Sequence, residues 1–309
     1  MNAPSGPWTD PRAESLRSRI GRAEFRWALL FVAPWVIGFA VFMAYPVVVS
    51  LFYSFCEYSV LAKPVWIGLG NFRDLADDDV FWISLWNTAR FAIFALPLGM
   101  AFSLGLAALL HVSVVGRGTF RAIFFLPSLV PVVANAIVWM WMFNGEYGLI
   151  NAGLRVFGQQ GPNWLGDTFW SMPALIFMGF WGVGGSIIIF LAAFQEVPVE
   201  MYEAAELDGA TAWKKFWGVT VPLISPVIFF QLITGIIGVL QVFAAPYIMT
   251  GGGPARRTLF YSMYLYDNAF RFLRMGYACA MAWILFLIIL VLTLVATKIS
   301  ARYVHYQGS

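Results

Sequence analysis

Charged side chains that could take part in binding or catalysis are concentrated in one segment of this 309-residue chain, residues 196–222. The segment reads EVPVEMYEAAELDGATAWKKFWGVTVP and contains five acidic residues and two lysines. Pro198 suits the first turn of a helix, where carboxylates are favoured by the positive end of the helix dipole. The Asp208-Gly209 pair then predicts a turn, because glycine adopts backbone angles that a Cβ forbids. We therefore expect two short helices separated by a turn.

The predicted helix–turn–helix has a chemistry suited to docking. Ala204 and Ala205 give the first helix a small-residue face that another helix or a groove could approach closely. The aromatic residues of the second helix are Trp213, Phe216 and Trp217. The alternative is that both helices pack on the remainder of their own chain, and the spacing of these residues does not decide between the two interpretations.

Residues for other kinds of chemistry are scarce. The chain contains two histidines, His111 and His305, and two cysteines, Cys56 and Cys279, none of them at the spacing of a metal site. A disulfide between the cysteines is one alternative, but we interpret them as isolated thiols. The sequence has no GxxxxGK[ST] phosphate-binding loop and no HExxH motif. We therefore expect no catalytic site, metal site or cofactor in this chain, and the net charge of +3 gives no reason to expect nucleic acid as a partner.

The elements around this segment are predicted to cross a membrane. Hydrophobic residues make up 61% of the chain and charged residues only 11%, against about 25% charged residues in a typical soluble domain. A spanning helix needs about 20 mostly apolar residues. We therefore predict an all-α integral membrane protein with six transmembrane helices, at residues 27–54, 88–110, 121–143, 171–194, 222–249 and 277–297.

The distribution of basic residues predicts that both termini are cytoplasmic. With the N-terminal segment 1–26 inside, eleven of the nineteen Lys and Arg residues are cytoplasmic, seven are outside, and Arg90 lies at the edge of a span. The C-terminal tail, residues 299–309, is then also cytoplasmic, and residues 55–87 form an outer excursion. One outer loop, residues 250–276, has four arginines against a single aspartate, and charge bias does not explain it.

The spans lack the charges that ion-coupled transport commonly uses. No Asp, Glu or Lys lies inside the six ranges, whereas proton-driven transporters commonly need such groups at depth. Sodium coupling through backbone oxygens remains open. Aromatic faces with sparse amide and hydroxyl groups suit a polyhydroxylated neutral ligand, so we hypothesise a sugar and place glycerol-phosphate-like anions second. Packing or interhelical hydrogen bonding is the alternative role for each candidate pathway residue, and these candidates are Asn135, Trp181, Ser186, Gln241 and Phe243.

The 196–222 segment resembles the EAA loop of ABC importer permeases. The resemblance is carried, in order, by Glu203, Ala204, Ala205, Asp208, Gly209, Ala210, Trp213, Phe216, Pro222 and Pro226. In that family the loop inserts a coupling helix into a cleft of the ATP-hydrolysing subunit. The resemblance implies that the first six of these residues couple this chain to an ATPase.

The resemblance extends along nearly the whole chain and implies a permease core of the type I importer fold over residues 83–298. Within the family, the chain is similar to the carbohydrate-uptake branch of maltose and glycerol-phosphate systems. This similarity is carried by RAIFFLPSLVP at 121–131, GLIN at 148–151, NWL at 163–165 and GGGP at 251–254.

Membership of this family implies a location in the bacterial inner membrane and a set of partners. A second permease subunit would complete the pathway, two ATP-binding subunits would carry ATP and Mg²⁺, and an extracytoplasmic solute-binding protein would deliver the substrate. A secondary transporter, which needs none of these partners, is the alternative from a different class.

Overall fold

A computed structural model describes residues 27–112 and 116–300, and these residues are almost entirely helical. The predicted cytoplasmic segment 1–26 and the tail from residue 301 lie outside the described residues. In chain order the elements are α1 (Trp27–Ser54), β1 (Cys56–Glu57), β2 (Val65–Trp66), α2 (Gly70–Ala76), α3 (Asp79–His111), α4 (Arg117–Phe125), α5 (Val132–Met142), α6 (Leu149–Val156), α7 (Ser171–Gly179), α8 (Gly184–Gln195), α9 (Val199–Leu207), α10 (Ala212–Lys215), α11 (Val221–Leu223), α12 (Ser225–Leu240), α13 (Ala244–Met249), α14 (Tyr261–Tyr266) and α15 (Met275–Ser300).

Within the described part of the chain, four helices are long and apolar enough to cross a membrane. They are α1, α3, α15 and the range Ser225–Met249, which combines α12 and α13. Two further candidates are bent pairs: α4 with its 3₁₀ extension meets α5 at 102°, and α7 with its extension meets α8 at 49°. Counting each bent pair as one span gives six, the number that the sequence predicts.

Several of the expected spans differ from the structure: the span expected at 171–194 is bent as described above, and two others differ at identifiable residues. The helix expected at 88–110 begins at Asp79, because the carboxylate of Asp78 accepts hydrogen bonds from the amides of Val80 at 2.8 Å and Phe81 at 3.4 Å. The expected helix 121–143 is interrupted at Pro131, which has extended backbone angles and lacks an amide hydrogen. This span therefore changes direction in its middle.

Helix α3 is the centre of the bundle. It packs along α8 and α12, and α14 packs near its N-terminal end. Its C-terminal half contributes Ala107 and Leu110 to a buried cluster, called the inner cluster below, that also contains Phe190 and Phe194 of α8. By contrast, α1 packs against α15 and leaves large apolar side chains exposed, among them Phe42 at 83%. Such a surface requires lipid or another protein around it.

The small hairpin, α2 and the start of α15 form a cap on one end of the bundle. The side-chain amide of Asn71 donates to the carbonyls of Ser54 and Cys56, at 2.9 Å each. The backbone amide of Gly276 donates to the carbonyl of Tyr58 at 3.0 Å. Cys56 is a free buried thiol, and so this cap is held by hydrogen bonds and packing.

Asp78 is the charged group at the centre of this cap. Its Oδ2 accepts hydrogen bonds from the hydroxyls of Tyr264, at 2.6 Å, and Tyr277, at 2.5 Å. Burial alone would raise the pKa of Asp78, but these hydroxyls and the amides of Val80 and Phe81 bring that pKa below its ordinary value. One carboxylate therefore joins the starts of α3 and α15 to α14.

Candidate functional site

The predicted docking segment folds as two short helices between α8 and α12. The first helix, α9, follows Pro198, whose backbone is extended, and has Glu200 in its first turn. None of the nine residues of α9 is buried. The helix therefore projects from the bundle instead of contributing to its interior.

The turn after α9 depends on Gly209. This residue has a φ of +72°, in the left-handed region that favours glycine. Its amide donates to the carbonyl of Glu206 at 2.9 Å, and the amide of Ala210 donates to the carbonyl of Ala205 at 2.9 Å. These two bonds form a Schellman motif, which satisfies the last carbonyls of the helix and fixes the direction in which the chain leaves it.

An ion pair joins the second short helix to the first. Thr211 is the N-cap of helix α10, and its Oγ1 accepts a hydrogen bond from the amide of Lys214 at 3.4 Å. The ammonium of Lys215 lies 2.5 Å from Oε1 of Glu206, whose side chain is 63% exposed. An exposed pair of this kind stabilises a protein by at most about 1 kcal/mol. The pair connects the last turn of α9 to the end of α10.

A pair of hydroxyls connects α9 to the bundle. The hydroxyl of Tyr202 lies 2.9 Å from Oγ1 of Thr220, which is buried at the end of a π-helical turn, Phe216–Thr220. Tyr202 and Phe216 also pack against the buried cluster formed by α3 and α8. A movement of α9 is therefore resisted by contacts to the helices that cross the membrane.

Several large apolar side chains of this segment are exposed. Leu207 is 90% exposed, and Trp213 is 70% exposed. Val199, Met201 and Trp217 are also more than two-fifths exposed. Large apolar side chains exposed next to carboxylates are typical of a protein interaction site.

The six residues predicted to couple the chain to an ATPase lie together. Glu203 and Ala204 are exposed in the middle of α9, and Ala205 is partly buried on its other side. The remaining three, Asp208, Gly209 and Ala210, form the turn that ends the helix. The structure therefore places the whole motif on one projecting element.

The five candidate pathway residues flank three interruptions in the spans. Asn135 lies one turn after Pro131, where α4 and α5 meet. Trp181 and Ser186 lie on either side of the break between α7 and α8. Gln241 and Phe243 form the connection between α12 and α13. Helix interruptions are tolerated at membrane depth where protein or a water-filled cavity satisfies the backbone, so their positions are compatible with a pathway.

Two members of this set, Trp181 and Phe243, contact the same buried cluster. Trp181 lies edge-on to the buried Trp139, with ring centroids 5.9 Å apart. Phe243 packs against the same buried cluster and stacks on Tyr247 at 5.0 Å. Ser186 instead lies beside Ile187, which belongs to the inner cluster. Within residues 27–112 and 116–300, the exposed side chain of Gln241 makes no hydrogen bond.

The sequence interpretation missed the residues that hold the loop after α13. Nδ2 of Asn87 donates to the carbonyl oxygens of Arg256 at 2.7 Å and Leu259 at 3.1 Å. Oγ1 of Thr88 accepts from the amide of Tyr261 at 2.8 Å. The only available signal was the presence of two adjacent polar residues just before an apolar run, which does not reveal their partners.

The sequence is similar to proteins of one transport family along nearly its full length. Residues 99–305 match the family described as binding-protein-dependent transport system inner membrane component. The chain is 37% identical over 297 residues to the probable ABC transporter permease protein YesP of Bacillus subtilis (strain 168), covering 94% of this chain and 96% of the relative. It is also 37% identical to the lactose transport system permease protein LacF of Rhizobium radiobacter, covering 85% and 90% of the two chains.

The fold is similar to that of solved ABC importers. The crystal structure of a bacterial alginate ABC transporter in complex with an alginate pentasaccharide-bound periplasmic protein contains a chain that superposes with a TM-score of 0.81. That chain is 25% identical, and the superposition covers 92% of this chain and 96% of its counterpart. These findings confirm the predicted all-α type I permease fold and a multi-pass location in the inner membrane. The chain belongs to the family of binding-protein-dependent transport system inner membrane components, the permease subunits of ABC importers.

Proposed function

We propose that this chain forms half of the translocation pathway of an ATP-driven importer for a sugar or oligosaccharide. A second permease subunit forms the other half, and ATP and Mg²⁺ bind to two separate ATP-binding subunits. The observation that carries this proposal is the geometry of α9, a helix without a buried residue whose Tyr202 is nevertheless bonded to the bundle.

The exposed apolar side of α9 and α10 is the surface that would enter a cleft of an ATP-binding subunit. Leu207 and Trp213 are the most exposed apolar residues of this surface. Burying one large apolar side chain contributes about 1.5–3 kcal/mol. Burial of these side chains on docking would therefore contribute favourably to the free energy of binding between the two subunits.

Closure of the ATP-binding subunits would then move α9, and the contacts described above carry that movement into the spans. The Tyr202–Thr220 hydrogen bond acts on the π-helical turn that precedes α12. Tyr202 and Phe216 act on α8 through the inner cluster. Both α8 and α12 adjoin helix interruptions. At such positions the angle between neighbouring helix segments can change while few backbone hydrogen bonds are broken.

A neutral sugar is the substrate class that the pathway candidates support best. Asn135, Ser186 and Gln241 offer hydrogen-bonding groups without charge, and Trp181 and Phe243 offer aromatic faces. The named relatives include a lactose transport permease, and this supports the same class. A solute-binding protein would deliver the sugar to the capped end, with both chain termini in the cytoplasm.

Replacement of Leu207 by Asp tests the docking proposal. The substitution puts a charge on the apolar surface without disturbing a buried contact, since Leu207 is 90% exposed. We expect the tagged variant to be recovered from membranes with its second permease but with little ATP-binding subunit, and to lose ATP-dependent uptake. Val156→Asp, at a residue that is 81% exposed on α6, is the matched control. Normal recovery of the ATP-binding subunits with Leu207→Asp would refute the proposed docking surface.

A further inference from the structure

A groove between α3 and α7 contains two arginines without an acidic partner. The cavity has a volume of about 590 Å³. Arg90 of α3 and Arg257 of the loop after α13 both line it. Among the described residues, neither guanidinium makes an ion pair or a side-chain hydrogen bond. A cation at the edge of an apolar region is stabilised by an anion, and this groove lacks one of its own.

The polarity of the groove changes along its length. Arg90, Phe94 and Leu98 occupy one face of α3 at intervals of four residues. The distance along the helix from Arg90 to Leu98 is therefore about 12 Å. On the opposite wall, the ring of Phe180 lies 5.1 Å from that of Phe102, one turn beyond Leu98 on α3, and Phe177 contacts Phe180. One end of the groove is thus cationic and the other end is lined by aromatic and aliphatic side chains.

The position of Arg257 at the cationic end is fixed by hydrogen bonds to the backbone of its loop. Asn87 lies one turn before Arg90 on α3 and donates to the backbone carbonyls of Arg256 and Leu259. These bonds fix the loop on both sides of Arg257. The loop therefore holds Arg257 over the same groove as Arg90.

We propose that this groove binds an anionic phospholipid of the outer leaflet. The phosphate lies between Arg90 and Arg257, and one acyl chain extends along Phe94, Leu98 and Phe177. Guanidinium groups bind phosphate oxygens through strong charge-assisted hydrogen bonds, and the apolar end matches a hydrocarbon chain. The choice of the outer leaflet depends on the chain orientation proposed above, whereas lipid binding itself does not.

The lining of the groove favours a lipid over an acidic sugar. A sugar needs hydrogen-bonding partners for several hydroxyl groups along its length. Apart from the two arginines, the only hydrogen-bonding side chain among the lining residues is that of Thr168. The polar part of the ligand must therefore be short and its remainder apolar, which describes a phospholipid.

The test uses the assembled importer, purified through this chain in a neutral detergent that contains equal amounts of phosphatidylglycerol and phosphatidylcholine. Native mass spectrometry measures how much of each lipid remains bound. We expect Arg90→Gln and Arg257→Gln each to reduce the retention of phosphatidylglycerol about fivefold, with no change for phosphatidylcholine. Arg90→Lys keeps the charge and should retain more lipid than Arg90→Gln.

Arg73→Gln is the control, because this exposed arginine on α2 lies outside the groove. Equal retention of phosphatidylglycerol by the wild type and both glutamine variants would overturn the proposal. So would loss of the second permease from the purified Arg90→Gln complex, since the anion would then belong to that subunit. Displacement of bound phosphatidylglycerol by a short acidic oligosaccharide would identify a substrate site and would also overturn it.

Discussion

The hydroxyl groups of Tyr202 and Thr220 lie 2.9 Å apart and join the projecting helix α9 to the turn that precedes α12. Thr220 is 6% exposed, whereas every residue of α9 is at least partly exposed. The bond therefore connects a surface element to the interior of the bundle. Its position suits the transmission of movement better than it suits the stability of the fold, because one such bond contributes only about 0.5–1.5 kcal/mol.

Replacement of Tyr202 by Phe should uncouple transport from ATP hydrolysis. The variant keeps the aromatic ring that packs on the inner cluster and removes only the hydroxyl. We expect the complex to assemble and hydrolyse ATP while uptake falls, so that more ATP is consumed for each substrate molecule imported. Both rates are measured on the same proteoliposomes.

Thr220→Val provides a double-mutant cycle for this bond. If the two hydroxyls act through each other, the double variant should be no worse than the more impaired single variant. Independent, additive losses of uptake would show that the bond is not the element that couples the two activities.

The backbone conformation of Gly209 leads to a second prediction. A β-branched residue at a φ of +72° is strained, whereas Asn adopts this region more readily. No atom lies within 4 Å of the position that a Cβ would occupy, so strain is the only penalty. We expect Gly209→Val to weaken the Schellman turn by about 1–2 kcal/mol and to reduce recovery of the ATP-binding subunits.

Gly209→Asn should retain most of that recovery, which is measured by quantifying the subunits that copurify with the tagged chain. Gly218→Ala is a suitable control, because this glycine also has open space at its Cβ position and no positive φ. Equal losses for the Asn and Val variants would mean that the turn conformation is not what docking requires.

The docking segment was predictable because its signals are local. Pro198 precedes α9 and Gly209 follows it, and each acts on its own backbone. The three consecutive aspartates at 77–79 also contained a local signal, but they fall within residues 55–87, which the sequence analysis placed outside the spans, before the helix expected at 88–110. In the structure Asp78 is the N-cap of α3. Aspartates occur both at N-caps and in exposed acidic loops, so the residue type alone does not distinguish the two. The distinction requires knowing where the helix starts.

The groove between α3 and α7 was not predictable for a different reason. Asn87 bonds to the backbone of Arg256, 169 residues away in sequence. The sequence analysis found the excess of arginines in the outer loop but not the helix against which they lie. Contacts between segments so far apart depend on how the spans pack, and the apolar composition of the spans is compatible with many packings.

The carboxylate of Asp78 predicts a pH dependence. Its pKa is below the ordinary value in the folded protein, so it stabilises the cap at pH values above the pKa of the unfolded chain, about 3.9. That contribution is lost as the pH falls through the lower, folded pKa. We expect Asp78→Asn to lower the stability by about 1–3 kcal/mol between pH 5 and 8, and this difference to shrink below pH 4.

Thermal unfolding of the detergent-solubilised protein at several pH values measures this difference. Asp77→Asn is the control, because Asp77 is an exposed neighbour whose carboxylate makes no hydrogen bond within the described residues. A constant gap between the wild type and Asp78→Asn down to pH 3 would show that the charge of the carboxylate does not hold the cap together.

Gln241 gives the sharpest test of the proposed sugar pathway. Its side chain is exposed and makes no hydrogen bond within the described residues, so Gln241→Ala should change the stability of the chain by less than about 0.5 kcal/mol. If the amide binds a sugar hydroxyl, its removal should lower uptake between about twofold and tenfold. Uptake of the radiolabelled sugar into proteoliposomes measures this loss. Gln159→Ala, in the exposed loop after α6, controls for the loss of an amide elsewhere. Unchanged uptake and an unchanged range of transported sugars in Gln241→Ala would remove this residue from the pathway, because no change in folding could mask the effect.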